Sequence, residues 1–556
     1  MDFKRLSIAF ILSAAVLILW PRLFPPPPTP EPGKPAAVPT AGPASAGTPP
    51  AAVTSAAAAK GAQAPGAGKQ AVAATVAVPP VTAAEARDVV VSTPLYEARL
   101  SNQGGDLVSW TLRKFKDGAG KDLDLVRRTV PFPGRIVRLD PADPFAARAA
   151  TALYAVTRET KGLDAVVRFH YREATGEGIE RTWTFGPGYV VGLRVQREGS
   201  TLPVGVVLGP GIGNPSEEDL KTSYTKPGAT IVLRHGGSVD RKAKDDLKEP
   251  VPAGADLVAA GLEDNYFLTA FLPRGGASAL LRPVKIQAGK EEPLLESEVV
   301  LSGAGVVDAD LFLGPKDLDL LEKLRPGMDK LIDYGWFAIL AKPLLWVLKW
   351  IQGWVVNWGL AIIGITFLIK VVLFPLTYKQ LVSMKKMSSL QPRVETIRAK
   401  WSTKLKSDPQ ARVKMNEEMM NLYKTEGVNP AGGCLPLVLQ MPILIAFYQM
   451  LAHAIELRHA PFWLWIQDLS AKDPYYVTPI LMTATMWIQQ QMTPSTGDAT
   501  QKKILAAMPL VFGFMFKDMP SGLVLYWLVQ NVLTIAQQML LNRYTDLGPV
   551  AVPKKA

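Results

Sequence analysis

The sequence contains very few of the residues that bind metals or form disulfides. Its 556 residues include one cysteine, Cys434, and four histidines. A single cysteine excludes an internal disulfide. Because paired cysteines and a His-Glu-x-x-His motif are also missing, the sequence predicts no metal site. It has no Gly-x-x-x-x-Gly-Lys-Ser/Thr loop either, so we expect no nucleotide and no other cofactor.

Charged residues are scarce in several segments of the C-terminal third of the chain. Five apolar segments occur there: 357–377, 434–453, 476–492, 504–517 and 521–541. Apolar runs of about 20 residues predict membrane-spanning helices. The fourth segment is short, so it requires either a tight connection to its neighbour or a locally thinned bilayer.

The N-terminus predicts a sixth span. In residues 1–24, Lys4 and Arg5 precede an apolar stretch at 6–20. This resembles a secretory signal peptide, but no small-x-small cleavage site follows directly. We therefore expect an uncleaved signal anchor. Residues 25–80 are rich in Pro and Ala and predict a flexible linker.

Residues 81–316 have the pattern of an all-β domain. Apolar residues alternate with polar ones, as in Val167, Phe169 and Tyr171, and Gly-rich turns separate the runs. This alternation predicts an antiparallel β-sandwich.

Residues 317–356 then form a linker and a helix. The helical part, 336–355, is crowded with Trp and carries Lys342 and Lys349 on one face, which favours a helix lying in the membrane interface. The alternative is a further spanning helix.

The distribution of basic residues predicts the orientation. Lys and Arg are concentrated in 378–433, recur as Lys502 and Lys503 in the loop 493–503, and recur again in the tail 542–556. By the positive-inside bias, these segments and both termini are cytoplasmic. The β-domain and the loop 454–475 would then lie in the periplasm of a bacterium.

The loop 378–433 predicts a helical hairpin with a turn at Ser407-Asp408-Pro409. Because Met side chains adapt to varied partners, the hairpin could be a docking surface. The candidate docking residues are Met384, Lys385, Met387, Met415 and Met419. Alternatively, these methionines pack inside a solvated hairpin.

Lys370 is the internal charge of the five C-terminal apolar segments. A lone cation at membrane depth costs roughly 2.5–3.5 kcal/mol on insertion scales, although its side chain could instead extend to the membrane surface. Polar residues accompany it at Gln530, Asn531, Thr534, Gln537 and Gln538 in the last segment, and at Gln440, Gln449, Gln489, Gln490 and Gln491 in the third and fourth. They could be ordinary hydrogen bonds between helices. Because no Asp or Glu in these segments neutralises the cation, the pattern favours a hydrated groove that awaits a counter-charge.

Several motifs resemble the YidC/Oxa/Alb family of membrane protein insertases. They are NPAGGCLP at 429–436, QMPI at 440–443, DLSAKDPYY at 468–476, PSGLVLYW at 520–527 and the stretch 365–377. The motif GLEDNYF at 261–267 is similar to the large domain of the Gram-negative members, which resembles a galactose-mutarotase sandwich.

This resemblance implies an insertase and chaperone with a five-helix core and a hydrophilic groove. The family's groove cation, usually Arg, falls on Lys370; Lys keeps the charge but cannot grip a carboxylate with two hydrogen bonds. Thr366, Tyr526 and Trp527 match client-contact positions. The implied partners are nascent membrane-protein clients, lipids and, through the cytoplasmic loops, the Sec translocon, the ribosome or a targeting receptor. The short tail after Tyr544 argues against ribosome docking through a long basic extension.

Two other classes of function remain at this stage. A small-solute transporter would show internal repeats and paired broken helices, and neither is evident. The β-domain could also bind or isomerise a sugar, although a fold resemblance alone is weak evidence. We expect no enzymatic activity.

Overall fold

The computed structural model describes residues 79–128, 133–213, 228–287, 293–402, 410–427, 435–492 and 499–544. These residues form a β-domain followed by a group of helices. The predicted signal anchor, nearly all of the linker and the Ser407-Asp408-Pro409 turn lie outside the described residues, as does the tail after Tyr544.

The β-domain consists of two antiparallel sheets. Its strands are β1 (Asp88–Ser92), β2 (Tyr96–Ser101), β3 (Leu107–Lys116), β4 (Asp122–Asp124), β5 (Val137–Leu139), β6 (Ala155–Lys161), β7 (Asp164–Arg172), β8 (Gly178–Phe185), β9 (Val190–Glu198), β10 (Val204–Leu208), β11 (Ala229–Arg234), β12 (Val239–Ala243), β13 (Val251–Gly254), β14 (Leu257–Glu263), β15 (Phe267–Pro273), β16 (Ser278–Ile286), β17 (Leu294–Gly303) and β18 (Val306–Pro315). One sheet has the order β1-β2-β3-β5-β10-β17-β16-β13, with β4 beside β3, and the other has β12-β11-β14-β15-β18-β9-β8-β7-β6.

The alternating sequence pattern explains why the two sheets pack face to face. In β7, Val167 and Phe169 are buried while their neighbours are more exposed. Trp110 extends from one sheet to the other, where its indole nitrogen donates to the carbonyl of Leu313 at 3.0 Å. The prediction of an antiparallel β-sandwich is confirmed.

The sandwich also buries charged side chains, and Arg181 is an example. Arg181 is fully buried on β8 and donates to Asp106 at 2.8 Å, and Asp106 also accepts from Arg135 at 2.8 Å. Burial of a charge requires such a partner, because unpaired ions are strongly disfavoured in a protein interior.

The helices follow the sandwich in the chain, apart from one short helix within it. They are α1 (Pro144–Ala149), α2 (Leu318–Leu324), α3 (Ala338–Val355), α4 (Trp358–Ser389), α5 (Gln391–Ser402), α6 (Ala411–Thr425), α7 (Leu435–His453), α8 (Val477–Met492), α9 (Ala499–Phe516) and α10 (Ser521–Tyr544). Short 3-10 turns precede α3 and follow α7.

Two helices among the described residues are long and apolar enough to cross a membrane. They are Trp358–Tyr378, within α4, and Ser521–Leu540, within α10; Leu505–Phe516 is a shorter apolar helix. Helix α4 begins near the β-domain and ends at the hairpin. It packs against α3 and α10, and α8 packs against both α9 and α10. The total of six spans stays a prediction.

Helix α3 exposes its tryptophans but not its basic face. Trp346 and Trp354 are largely exposed, whereas Lys342 pairs with Asp329. Lys349 pairs with Asp319 at 2.8 Å and with Glu456 at 2.6 Å. The two lysines therefore tie the helix to neighbouring protein segments, and its position in the membrane interface stays a prediction.

Helices α5 and α6 form the two arms of the hairpin and enclose a small apolar cluster. Met387, Leu390, Val394 and Tyr423 are buried in it, and Met419 packs against it. Glu418 of α6 joins the arms, since it accepts hydrogen bonds from Lys400 at 2.8 Å and from the Trp401 indole at 2.7 Å. Met387 and Met419 thus pack internally, as in the alternative interpretation of the hairpin.

Candidate functional site

Lys370 lies on the face of α4 that meets α10. Its Nζ atom donates to Thr534 Oγ1 at 2.7 Å, and that hydroxyl donates to the Gln530 carbonyl at 2.6 Å. The lysine thus points across to the neighbouring helix, not along α4 towards a membrane surface. Its acceptor is neutral, and none of the ion pairs among the described residues includes it.

A second hydrogen bond joins the same two helices nearer the hairpin. Gln537 donates to Thr377 Oγ1 at 3.1 Å, and Thr377 in turn donates to the Leu373 carbonyl at 3.2 Å, within α4. Lys370, Thr377, Thr534 and Gln537 therefore define a polar seam between α4 and α10. Buried polar groups at a helix interface need such partners, because lipid offers none.

Gln530 also lies at this seam. Its side chain is almost fully buried, and its Oε1 atom has no hydrogen-bond partner within the described part of the chain. An unsatisfied buried acceptor costs about 1–3 kcal/mol. It therefore marks a place where a water molecule or a donor from another chain would be favourable.

Asn531 of α10 faces a different neighbour. Asn531 is buried, and its amide lies 3.4 Å from the Met482 carbonyl and 3.3 Å from Thr485 Oγ1, both on α8. The polar stripe read from the sequence is therefore divided between two interfaces. Consecutive residues of a helix differ by about 100° in direction, so Gln530 and Asn531 cannot face the same partner.

The two aromatic residues also diverge. Tyr526 is buried and stacks on Phe447 of α7, with 4.2 Å between ring centroids, whereas Trp527 packs on Phe512 and Phe516 of α9, at 5.8 and 5.0 Å. Both rings are held by apolar packing between helices.

The remaining predicted contact residues are dispersed. Thr366 is fully buried and donates to the Ile362 carbonyl of its own helix at 2.6 Å. Gln440 is half-buried on α7. Gln449 lies beside Gly335 near the β-domain, and Gln490 is half-buried at the end of α8. The structure does not bring Gln449 or Gln490 to Lys370.

Met415 is half-buried on α6, and the side chains of Met384 and Lys385 lie outside the described residues. Thr377 was not among the predicted site residues. The signal that could have found it is its position seven residues after Lys370, on the same side of the helix.

Fold and site together define a membrane protein with apolar spanning helices, an internal cation between two of them and an attached β-sandwich. Comparison with known proteins agrees. A family described as 60Kd inner membrane protein matches residues 350–547, and a family described as YidC periplasmic domain matches residues 88–347.

Full-length relatives identify the family. A membrane protein insertase YidC from Citrifermentans bemidjiense is 41% identical over 97% of this chain and 99% of its own length. One from Geobacter metallireducens is 38% identical over 97% and 98%. The chain belongs to the YidC family of membrane protein insertases. These relatives are named as insertases and not as enzymes, in agreement with the expectation from the sequence.

The solved structures with similar folds are more distant. An active YidC insertase with its first transmembrane domain resolved matches with a TM-score of 0.36 and 20% identity, over 84% of this chain and 95% of that one. A galactose mutarotase-related enzyme from Lactobacillus acidophilus matches with a TM-score of 0.28 and 10% identity, over 41% of this chain and 97% of that one. The family assignment therefore rests on the sequence relatives.

Proposed function

We propose that this protein inserts nascent membrane proteins into the bacterial inner membrane through a hydrophilic intramembrane groove whose cation is Lys370. The observation that carries the proposal is the pairing of Lys370 with a neutral hydroxyl at 2.7 Å, with no carboxylate bound to it among the described residues. A neutral hydroxyl does not compensate the charge of an ammonium group, so this charge stays available to an acidic group of a client.

The client's carboxylate would replace Thr534 as the acceptor. The Thr534 hydroxyl is a neutral acceptor, whereas a carboxylate would add a charge pair, and a charge pair is stronger at membrane depth than in water. The carbonyl oxygen of the Gln530 side chain, one helical turn before Thr534 on α10, has no hydrogen-bond partner among the described residues and offers a further acceptor. A translocating polar tail would thus meet a positive charge on α4 and an acceptor on α10.

Burial of the client's apolar helix in lipid would then complete insertion. This step contributes roughly 25 cal/mol per Å² of apolar area, so no nucleotide is required. Tyr526 packs against α7 and Trp527 against α9. Both side chains would contact a client directly only if these helices separate.

In the orientation we propose, the hairpin of α5 and α6 and both termini are cytoplasmic and the β-domain is periplasmic. The basic residues of the hairpin support this topology. Arg393 pairs with Glu426 at 2.6 Å and Lys400 with Glu418 at 2.8 Å. The hairpin would receive clients alone or with the Sec translocon, the ribosome or a targeting receptor.

Insertion by reconstituted protein tests the role of the cation. Lys370→Ala should slow insertion of a client with an acidic translocated tail, while a client with a neutral tail is little affected. A hydrogen bond to a charged group contributes about 1.5–3 kcal/mol, so the loss should be about tenfold or more.

Two further variants serve as controls. Lys370→Arg keeps the charge and should insert both clients, and Thr534→Val removes the resident acceptor while leaving the cation, so the acidic client should insert at least as well as with wild-type protein. Equal insertion of acidic and neutral clients by Lys370→Ala at normal protein levels would contradict the proposal.

A further inference from the structure

A group of apolar side chains stands exposed at the end of the helices nearer the β-domain. Trp354 and Val356, where α3 ends, are 76% and 80% exposed, and Trp463 and Leu464, in the loop after α7, are 71% and 62% exposed. We call these four residues the apolar corner. Contiguous exposed apolar surface of this kind marks an interaction site.

Hydrogen bonds hold the two halves of the apolar corner together. Asn357 follows Val356 directly, and its side-chain amide lies 3.1 Å from the Phe462 carbonyl and 3.4 Å from the Pro461 carbonyl. The Phe462 ring also lies against Gly359, where a Cβ atom would come within 2.0 Å of it. The loop is therefore fixed to the first turn of α4.

The backbone of the apolar corner is held in an unfavourable conformation. Val356 has a φ of 55° and Leu464 a φ of 52°, a left-handed region that side chains with a Cβ rarely adopt. A tight turn from Trp463 to Ile466, closed by a 3.1 Å hydrogen bond, holds Leu464 outward, and the Trp465 indole donates to Asp473 at 3.0 Å on the inner side. Backbone strain maintained in this way points to a functional surface.

We infer that the apolar corner is a lipid anchor, inserted at the boundary between headgroups and acyl chains in the leaflet nearer the β-domain. The depth follows from the sequence: Asn357 immediately precedes the membrane-spanning stretch Trp358–Tyr378. Side chains tied to that point lie at the level where a spanning helix enters the bilayer. Trp is enriched at this level because its ring is apolar and its N–H is polar.

The anchor determines how deeply α4 lies in the membrane. Lys370 lies twelve residues beyond Trp358, so at 1.5 Å per residue it is roughly 18 Å deeper than the apolar corner. A fixed entry point therefore fixes the depth of the cation. This inference concerns contact with lipid and does not depend on the proposed insertion of clients.

Site-directed spin labelling in proteoliposomes tests the anchor. The background is full-length protein with Cys434→Ala, into which Leu464→Cys or Val356→Cys is introduced for labelling. The matched control is Leu202→Cys, because Leu202 is a leucine of the β-domain with a similar exposure of 52%. Collision with oxygen, which concentrates in lipid, is compared with collision with a water-soluble nickel chelate.

Labels at 464 and 356 should collide more with oxygen than with nickel, and the order should reverse at 202. Greater nickel than oxygen accessibility at both 464 and 356 would overturn the inference, because the apolar corner would then be in water. Exclusion of both reagents would also overturn it, since another protein segment, such as the apolar stretch 6–20, would then cover the corner.

Discussion

At the scale of single residues, Asp473 shows how one carboxylate organises a loop. Its Oδ2 atom accepts from the Thr478 amide at 2.7 Å and hydroxyl at 2.8 Å, and its Oδ1 atom accepts from the Trp465 indole and the Tyr475 amide, both at 3.0 Å. Burial disfavours the charged form, but these hydrogen bonds outweigh it, so the pKa of Asp473 lies below its ordinary value. The ionised carboxylate thereby starts α8 and secures the loop that carries the apolar corner.

This predicts an acid-sensitive contribution to stability. A lowered pKa means that the contribution is complete at neutral pH, above the ordinary Asp value of about 3.9, and is lost as the pH falls through the lower folded-state value. Asp473→Asn should reduce the free energy of unfolding at pH 7 by about 2 kcal/mol. Denaturant unfolding of purified protein should show this gap closing in acid.

The exposed Asp245→Asn variant is the control and should match the wild type throughout. A gap between Asp473→Asn and wild-type protein that stayed constant down to about pH 2 would show that the carboxylate's charge contributes nothing.

Single residues also show which features could be predicted from the sequence and which could not. Lys370 could be singled out because a charge among apolar residues violates the local pattern. Its pairing with Thr534 could not be predicted, because it depends on the rotation of α10 about its axis. The same rotation sends Asn531 to α8 and separates Tyr526 from Trp527. The contacts of Asp473 were equally hidden, since they join a loop, a helix start and an indole.

At the scale of elements, the hydrophobic pattern predicted where the helices lie more accurately than the residues at which they begin and end. Apart from Asn357, the apolar segment 357–377 lies within α4, but that helix continues to Ser389 because residues 378–389 have helical spacing and no helix breaker. Likewise, 504–517 corresponds to α9, which begins at Ala499. Hydropathy records where lipid contact ends, whereas the helix ends where backbone hydrogen bonding stops.

The contact between α8 and α9 provides a prediction at this scale. A Cβ atom added to Gly513 would lie 2.1 Å from Thr483 Oγ1, so the two helices approach closely because one position has no side chain. Gly513→Ala should destabilise the protein by about 1–3 kcal/mol through overpacking. Thermal unfolding in detergent measures the effect.

Thr483→Ala removes the clashing hydroxyl and should restore part of the lost stability when combined with Gly513→Ala. Gly353→Ala on α3 is the matched control, because a Cβ atom there meets nothing within 4 Å. It should be neutral or slightly stabilising, since Ala favours a helix over Gly. A Gly513→Ala variant as stable as the wild type would mean that the two helices can separate without cost.

At the scale of the whole molecule, the β-domain and the helices meet through the loop after α7. The Arg458 guanidinium lies 5.3 Å from the Phe267 ring centroid, and His459 Nε2 lies 3.1 Å from the Lys116 carbonyl. The other nitrogen of His459 faces Asp468 at 3.0 Å. The contacts with Phe267 and Lys116 join residues that are far apart in the sequence, so no local pattern could predict them.

We therefore expect Arg458 to couple the two parts of the protein. A cation–π contact contributes about 0.5–2 kcal/mol, depending on its burial. Arg458→Ala should thus increase hydrogen exchange in residues 264–267 roughly two- to thirtyfold, if those amides exchange by local opening.

Arg113→Ala is the control. It removes an exposed ion pair with Glu97 and should leave the exchange of residues 264–267 unchanged, because such pairs contribute little. Unchanged exchange in both variants would mean that the contact of Arg458 with Phe267 does not restrain this segment, whereas faster exchange in Arg458→Ala alone would show that the loop after α7 stabilises this part of the β-domain.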